Sequence, residues 1–330
     1  MQTVDPQWHI AFLNIAVTDL AGVTFREYYS CPEATLAAQL KARDEAERRW
    51  GVGRFVHTFV DVPGARVTTL FGMSHVFSHD DEVPWLDPGS HPLPDMRDVD
   101  IIPVSAPEDC APFRAKVEAW RYYNSQGVKT GLGAGAASTV TDACDISGNA
   151  FLVALIEAPG LAHRLLERVT DAHFAIRDWC RAITGTPVGG AVGDDFAGLL
   201  SPPMFREFVI PQYRRVYAGA SRIYMHSELL NVEHLRIIRD ELGFDEFHGA
   251  GTENLSFAEM HEVLGHHFWV QLTPHELAHL RPQEIRERVR VLANSKAMAV
   301  QIYPGRLTPP ENMEAAIDAC RAECCGGPRW

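Results

Sequence analysis

The stretch Val188–Glu228, VGGAVGDDFAGLLSPPMFREFVIPQYRRVYAGASRIYMHSE, decides how the rest of the chain is read. It opens on a glycine-rich apolar run that ends in paired carboxylates, Asp194 and Asp195. A Ser-Pro-Pro start, Ser201 to Pro203, leads into an aromatic-rich helix. A second apolar run then closes on His226 and Glu228. Two strand-like runs around one helix predict a βαβ unit with polar chemistry at the strand ends.

The same alternation extends in both directions. Upstream, strand-like runs are expected at His9 to Ile15, Phe55 to Val62 and Val128 to Gly133. Helices are expected over Pro32 to Gly51, Ala106 to Gln126 and Glu157 to Ile183, where apolar residues recur three and four apart. Between them, VTTLFG and SHVFS suggest a hairpin, and a Pro- and Asp-rich segment follows. Downstream, strands are expected at Phe244 to Gly249, Phe268 to Leu272 and Ala299 to Tyr303. Helices are expected around Phe257 to Leu264, Pro282 to Ala293 and Pro310 to Glu323.

About eight strand–helix units in a chain of 330 residues predict a single (β/α)8 TIM barrel over residues 1–330, with a surface excursion around 63–105. A doubly wound sheet lacks support, because no G-x-G-x-x-G follows a strand and no phosphate-binding G-x-x-x-x-G-K-[ST] occurs.

Composition narrows the function. With 46% hydrophobic and 22% charged residues the chain reads as globular. A formal net charge of -13 without a Lys/Arg block argues against nucleic acid and against anionic membranes as partners. The first twenty residues lack a basic start, and no apolar run approaches the ~18 residues of a membrane span. Seven scattered cysteines, an odd count, argue against a disulfide framework, and a cytoplasmic location is expected.

In a TIM barrel the chemistry sits at the C-terminal strand ends. Those ends carry Asp61, His75 on the excursion, Asp194, Asp195, His226, Glu228, His248, Gln271 with Thr273, and Tyr303 with Arg306. His226 and Glu228 stand at i and i+2, which share one face of an extended strand. An imidazole and a carboxylate there suit a divalent metal, zinc above all, which wants three protein ligands and an open position. Of the aspartate pair, one is expected to cap a helix start and the other to face the mouth. His266, His267, His275 and His279 read as peripheral, and the thiols of Cys320, Cys324 and Cys325 as incidental.

At this point the residues carry a resemblance. Asp194–Ala220, IYMHSE at Ile223–Glu228 and Leu229–Gly251 look like the uroporphyrinogen decarboxylase superfamily, with its aspartate, Ser-Pro helix start and H-x-C-G strand end. FWVQLTPHELAHLRPQEIRERVRVLA is similar to a later element of that superfamily and YPGRLTPPENMEAAIDAC to its closing helix. EYYSCPEATLAAQLKARDEAERRWGVGRF is similar to its first helix. The resemblance spans most of the chain and implies the TIM barrel already counted out. True decarboxylases of porphyrinogens carry an N-terminal arginine motif that holds the substrate's carboxylates; this chain has none.

The resemblance therefore points to the corrinoid-linked methyltransferases, whose thiol-directed members hold zinc through H-x-C and a later cysteine. Here His226 matches the histidine, Glu228 stands where the first cysteine would be, and Gly305-Arg306 replace the second. A carboxylate in place of thiolates makes the site harder. Either His248 or Asp195 completes the ligand set, or the metal has been lost.

The implied activity is methyl transfer between a methylcobamide and an acceptor such as tetrahydrofolate or a thiol. The corrinoid is expected on a partner protein, since no D-x-H-x-x-G stretch is present. The implied roles are metal ligation by His226 and Glu228, catalysis by Asp195, His248 and Tyr303, and substrate binding by Asp194, Tyr224, Gln271 and Arg306. The alternatives are a decarboxylase-type lyase on a small carboxylated substrate and a non-catalytic barrel serving as a binding subunit.

Overall fold

Short polar signatures set where many of the helices begin. In the computed structural model, which describes residues 6–80, 82–87, 89–186, 190–249 and 254–325, Thr24, Ser256 and Thr273 each accept from the backbone N–H three residues on. Glu27, Glu259 and Glu276 reach back to the cap. Each reciprocal pair satisfies two donors that a helix start leaves without an intrahelical partner. Val188 and Gly189, at the head of the deciding stretch, lie outside the described residues, as does Gly251.

Eight strands are numbered in chain order: β1 (Gln7–Ile10), β2 (His75–Val76), β3 (Trp85–Leu86), β4 (Ala191–Gly193), β5 (Tyr224–His226), β6 (Glu246–His248), β7 (Phe268–Leu272) and β8 (Ala299–Ile302). The chain packs as two compact units. The first comprises residues 1–58, 246–250 and 255–330. In it β1 pairs with β8, β8 with β7 and β7 with β6, all in parallel.

Phe247, Phe268, Val270, Leu272, Val300 and Ile302 are all at most 2% exposed, as expected for strands covered on both faces. Helices Phe257–Leu264, Pro282–Ala293 and Pro310–Glu323 have the bounds that their periodicity predicts. The last is docked by Asn312, 3% exposed, whose Nδ2 donates to the carbonyls of Leu277 at 2.8 Å and Leu280 at 2.7 Å.

The second unit comprises residues 59–245 and 251–254. Its parallel pair β4–β5 is linked by the expected crossover, a helix built from Pro202–Met204, a π-helical Phe205–Val209 and Ile210–Tyr217. Pro211 explains the π segment: without an N–H it cannot make the regular bond to Glu207, and the turn before it widens. Helix Pro159–Thr184 buries Ala162, Leu165, Leu166, Val169, Ile176 and Cys180 along one stripe. Helices Thr139–Ser147 and Asn149–Glu157 bend by 108° at Gly148. Its φ of 56° and ψ of -139° belong to a region that side chains rarely enter.

Several sequence expectations are corrected. The first strand ends at Ile10, and Asn14 already begins a helix. Phe55 closes a 3-10 turn, and residues 56–62 form no regular strand; their mostly half-exposed side chains lack the alternate burial that a one-faced strand needs. Residues 128–133 are also irregular, and the nearby Ala137 makes an isolated bridge to Val192; Gly131, Gly133 and Gly135 offer no side chains to pack on a sheet. VTTL is a helical turn, and the hairpin forms instead between β2 and β3. The helices expected from Ala106 and Glu157 begin at Ala111 and Pro159, each with a proline in its first turn. Among the described residues no single helix is long and apolar enough to cross a membrane.

Asn312→Ala leaves one buried and one part-buried carbonyl without their donor. It should lower stability by about 1–3 kcal/mol, read as a reduced midpoint in thermal or urea unfolding, and an unchanged midpoint would refute the docking role.

Candidate metal centre

A buried carboxylate at the end of β4 joins two helices of the second unit. Asp194 is 0% exposed. Its Oδ2 accepts from Val140 N at 2.8 Å and Tyr213 OH at 3.0 Å, and its Oδ1 from Thr141 N at 2.9 Å and Thr141 Oγ1 at 2.8 Å. Val140 and Thr141 are the second and third residues of helix Thr139–Ser147, whose own cap residue Ser138 supplies no capping bond. Asp194 thus caps a helix that precedes it by more than fifty residues. Burial pushes its carboxyl upward, and the four hydrogen bonds oppose that shift.

One aspartate of the pair does cap a helix, but not the helix that follows it. The substrate-binding role given to Asp194 is therefore corrected: its oxygens are enclosed and already engaged.

The backbone of Asp194 carries the lock across to β5. Asp194 N donates to His226 O at 3.0 Å, and Ser227 Oγ donates to Asp194 O at 2.7 Å. Asp195 starts the 3-10 turn Asp195–Leu199. Its Oδ1 stands 3.1 Å from His226 Nε2, yet that oxygen is buried and has no aligned hydrogen-bond partner among the described residues. Contact with the imidazole holds the Asp195 carboxyl below its usual range against the effect of burial.

Glu228 completes the group: one ligand atom each from Asp195, His226 and Glu228 lie within 4.8 Å of one another, all three side chains half-buried. Burial first, then the Asp195 charge, push the Glu228 carboxyl up, with His226 opposing.

A close backbone approach keeps these donors together. A Cβ on Gly198 would sit 2.3 Å from Glu228 O, 2.7 Å from Leu229 C and 2.9 Å from Leu229 Cβ. Only glycine lets the Asp195–Leu199 turn lie on the Glu228–Leu229 corner, where Leu229 itself adopts a φ of 59°. Nothing in the sequence pattern marks Gly198; a glycine three residues after a strand-end carboxylate is the only available signal.

One imidazole nitrogen and two carboxylate oxygens, with an unaligned buried oxygen among them, fit a divalent cation. Three protein donors leave a coordination position open, and the set is harder than one built on thiolates. Of the two residues left open for a third donor, Asp195 has a ligand atom within 4.8 Å of those of His226 and Glu228.

The other predicted residues stand as follows. Tyr224 opens β5, half-buried, its carbonyl accepting from Tyr217 OH at 2.8 Å, and burial pushes its phenol up. His75, in the same unit, is pushed down to about 4 by burial and the Arg66 charge. In the first unit, His248 is buried with Nε2 2.8 Å from Gln301 Oε1. Gln271 is half-buried on β7, with a buried Oε1 that has no hydrogen-bond partner among the described residues. Tyr303 follows β8, half-buried, and the Arg306 guanidinium lies 5.6 Å from the centre of the Phe25 ring. His275 and His279 are exposed. Missing from the sequence reading are Asp142, buried and pushed far up beside Asp194, and Asp145, pushed up to about 6.

The family model for uroporphyrinogen decarboxylase matches residues 13–323. No curated protein matches the chain. Among solved structures, a methyltransferase from Methanosarcina mazei is similar over 98% of this chain and 95% of its own, with a TM-score of 0.71 at 17% identity. The fold is the (β/α)8 barrel of the uroporphyrinogen decarboxylase type.

Gly198→Ala should weaken divalent-cation affinity by about 10- to 100-fold, the range for residues that orient metal ligands. Titration calorimetry with zinc checks this, and an unchanged affinity would show that the close approach does not position the donors. From residue 13 to residue 323 the chain belongs to the uroporphyrinogen decarboxylase family.

Proposed function

We propose that the protein is a corrinoid-linked methyltransferase, moving a methyl group between a methylcobamide on a partner protein and a small acceptor such as a thiol or tetrahydrofolate. One observation carries the reading: in a chain of this family, the ends of β4 and β5 gather an imidazole and two carboxylates at one point. The neighbour of like fold is named a methyltransferase, which favours transfer over decarboxylation. A cytoplasmic location belongs to the same reading.

Asp195, His226 and Glu228 would hold a divalent cation, zinc first among the candidates, and such an ion supplies Lewis-acid stabilisation of an anionic nucleophile. The protein's own groups set the conditions for that chemistry. The Asp194 lock and the Gly198 contact fix the donors before any ligand arrives, so little ordering is required on binding. His226 contributes a neutral nitrogen when deprotonated, and the ionised Asp195 beside it stabilises positive charge at the same point.

The test is methyl transfer from methylcobalamin to thiols or tetrahydrofolate, followed at the cobalamin absorbance, together with elemental analysis of protein purified without chelators. The wild type should carry about one metal per chain, and His226→Ala and Glu228→Gln should lose metal and turnover together. Absence of turnover with every acceptor when metal is supplied would overturn the proposal.

Acidification gives a second check. A cation needs both carboxylates ionised, and Glu228 is the one pushed upward. As pH falls through that raised value, protons displace the metal and the metal-dependent gain in Tm shrinks. The gain should be full at neutral pH and lost in mild acid, and in Glu228→Gln this dependence should be flattened.

A further inference from the structure

We infer that Gln301 is a positioning residue that fixes the protonation of two histidines, holding His9 neutral and leaving His248 as the imidazole that can take up and release a proton. The first unit carries an unbroken chain of three side chains from strands β6, β8 and β1. His248 Nε2 lies 2.8 Å from Gln301 Oε1, and Gln301 Nε2 lies 2.9 Å from His9 Nε2. The strand register places His9 directly beside Gln301, and His248 beside Trp269 of β7. Gln301 and His248 are both 9% exposed. The Trp269 ring meets both imidazoles edge-on, at 4.5 Å for His9 and 5.9 Å for His248.

An amide has a fixed polarity: its oxygen only accepts and its nitrogen only donates. His9 Nε2, facing the amide nitrogen, must therefore present a lone pair, so its proton sits on Nδ1. A second proton on His9 would set N–H against N–H and break the chain. His248 Nε2, facing the amide oxygen, must carry a proton. His248 can then be neutral or, with a proton added at Nδ1, cationic, without disturbing either hydrogen bond.

The two imidazoles are thus unequal by virtue of one amide. Burial and the charges of His248 and His57 independently push His9 down to about 3, consistent with a ring that stays neutral.

The inference rests on the methyl-transfer reading only for the use of that proton. Transfer of a methyl group from a corrinoid to a thiol or N–H acceptor forms the carbon–sulfur or carbon–nitrogen bond, leaves the carbon–cobalt electron pair on cobalt and releases one proton. Of the pair, His248 is the ring that can accept such a proton at Nδ1 with the chain intact.

Long-range 1H–15N correlation spectra of the whole protein at neutral pH report each histidine tautomer directly. His9 should appear as the Nδ1–H form, and His248 as a ring protonated at Nε2. In Gln301→Leu both rings should lose their single tautomer. In Gln301→Glu, whose carboxylate accepts from both sides, His9 should switch to Nε2–H. A wild-type spectrum with His9 protonated at Nε2 and His248 at Nδ1 would overturn the inference, as would tautomers unchanged in both variants. The wild-type spectrum needs no variant to fold.

Activity gives a separate arm. Where methyl transfer is observed, Gln301→Leu should shift its pH profile and lower kcat about tenfold while the metal content stays at the wild-type level. A pH profile and kcat unchanged in Gln301→Leu would overturn the proton's use while leaving the tautomer assignment standing. Absence of methyl transfer in the wild type would overturn the activity reading alone.

Discussion

The second unit depends on one carboxylate. Without the Asp194 side chain, helix Thr139–Ser147 loses the acceptor for its first amides and Tyr213 loses a buried partner. A fully enclosed carboxylate is costly unless its lone pairs are all engaged, and here four donors meet them. The same arrangement explains why the next residue is available for chemistry. Asp194 turns inward, and at the start of the 3-10 turn that follows Asp195 stands beside His226.

Two polar clusters with opposite electrostatic character follow from where the polar residues fall on the strands. The cluster at the ends of β4 and β5 is ionic and half-open, built of two carboxylates and one imidazole. The cluster across β6, β8 and β1 is buried and holds no carboxylate; an amide and two imidazoles satisfy one another there. Burial determines the difference. A half-exposed carboxylate keeps its charge, whereas burial disfavours charge among the groups enclosed by β6, β8 and Trp269, where His9 is held neutral and each group is hydrogen-bonded.

Much of this was legible in the residues. Helix bounds after Ser256 could be read because each start carries its own signature, as Thr273 with Glu276 does, and the later strands are continuous apolar runs. His226, Glu228 and Asp195 could be read because strand ends are where polar side chains are otherwise out of place. The residues that assemble the sites were not legible. Asp194 caps a helix far back in the chain, Gly198 matters only because a distant carbonyl lies against it, and Gln301 looks like any polar residue in an apolar strand. Contacts between elements far apart in sequence leave no local pattern.

The replacement of H-x-C by His226-Ser227-Glu228 also has a local logic. Ser227, 1% exposed, is the residue that ties β5 to Asp194 O, so the middle position is structural while its neighbours face outward. A carboxylate at position 228 then stands beside Asp195, and each raises the cost of ionising the other. Two nearby groups could offset that repulsion. His226 is positive only when protonated, and the exposed Arg66, whose charge reaches Asp195, forms no ion pair among the described residues. On the proposed reading, the substitution exchanges a soft, thiolate-based ligand set for a hard one whose own electrostatics favour a cation at neutral pH. It also makes occupancy depend on pH through a carboxylate in place of a thiol.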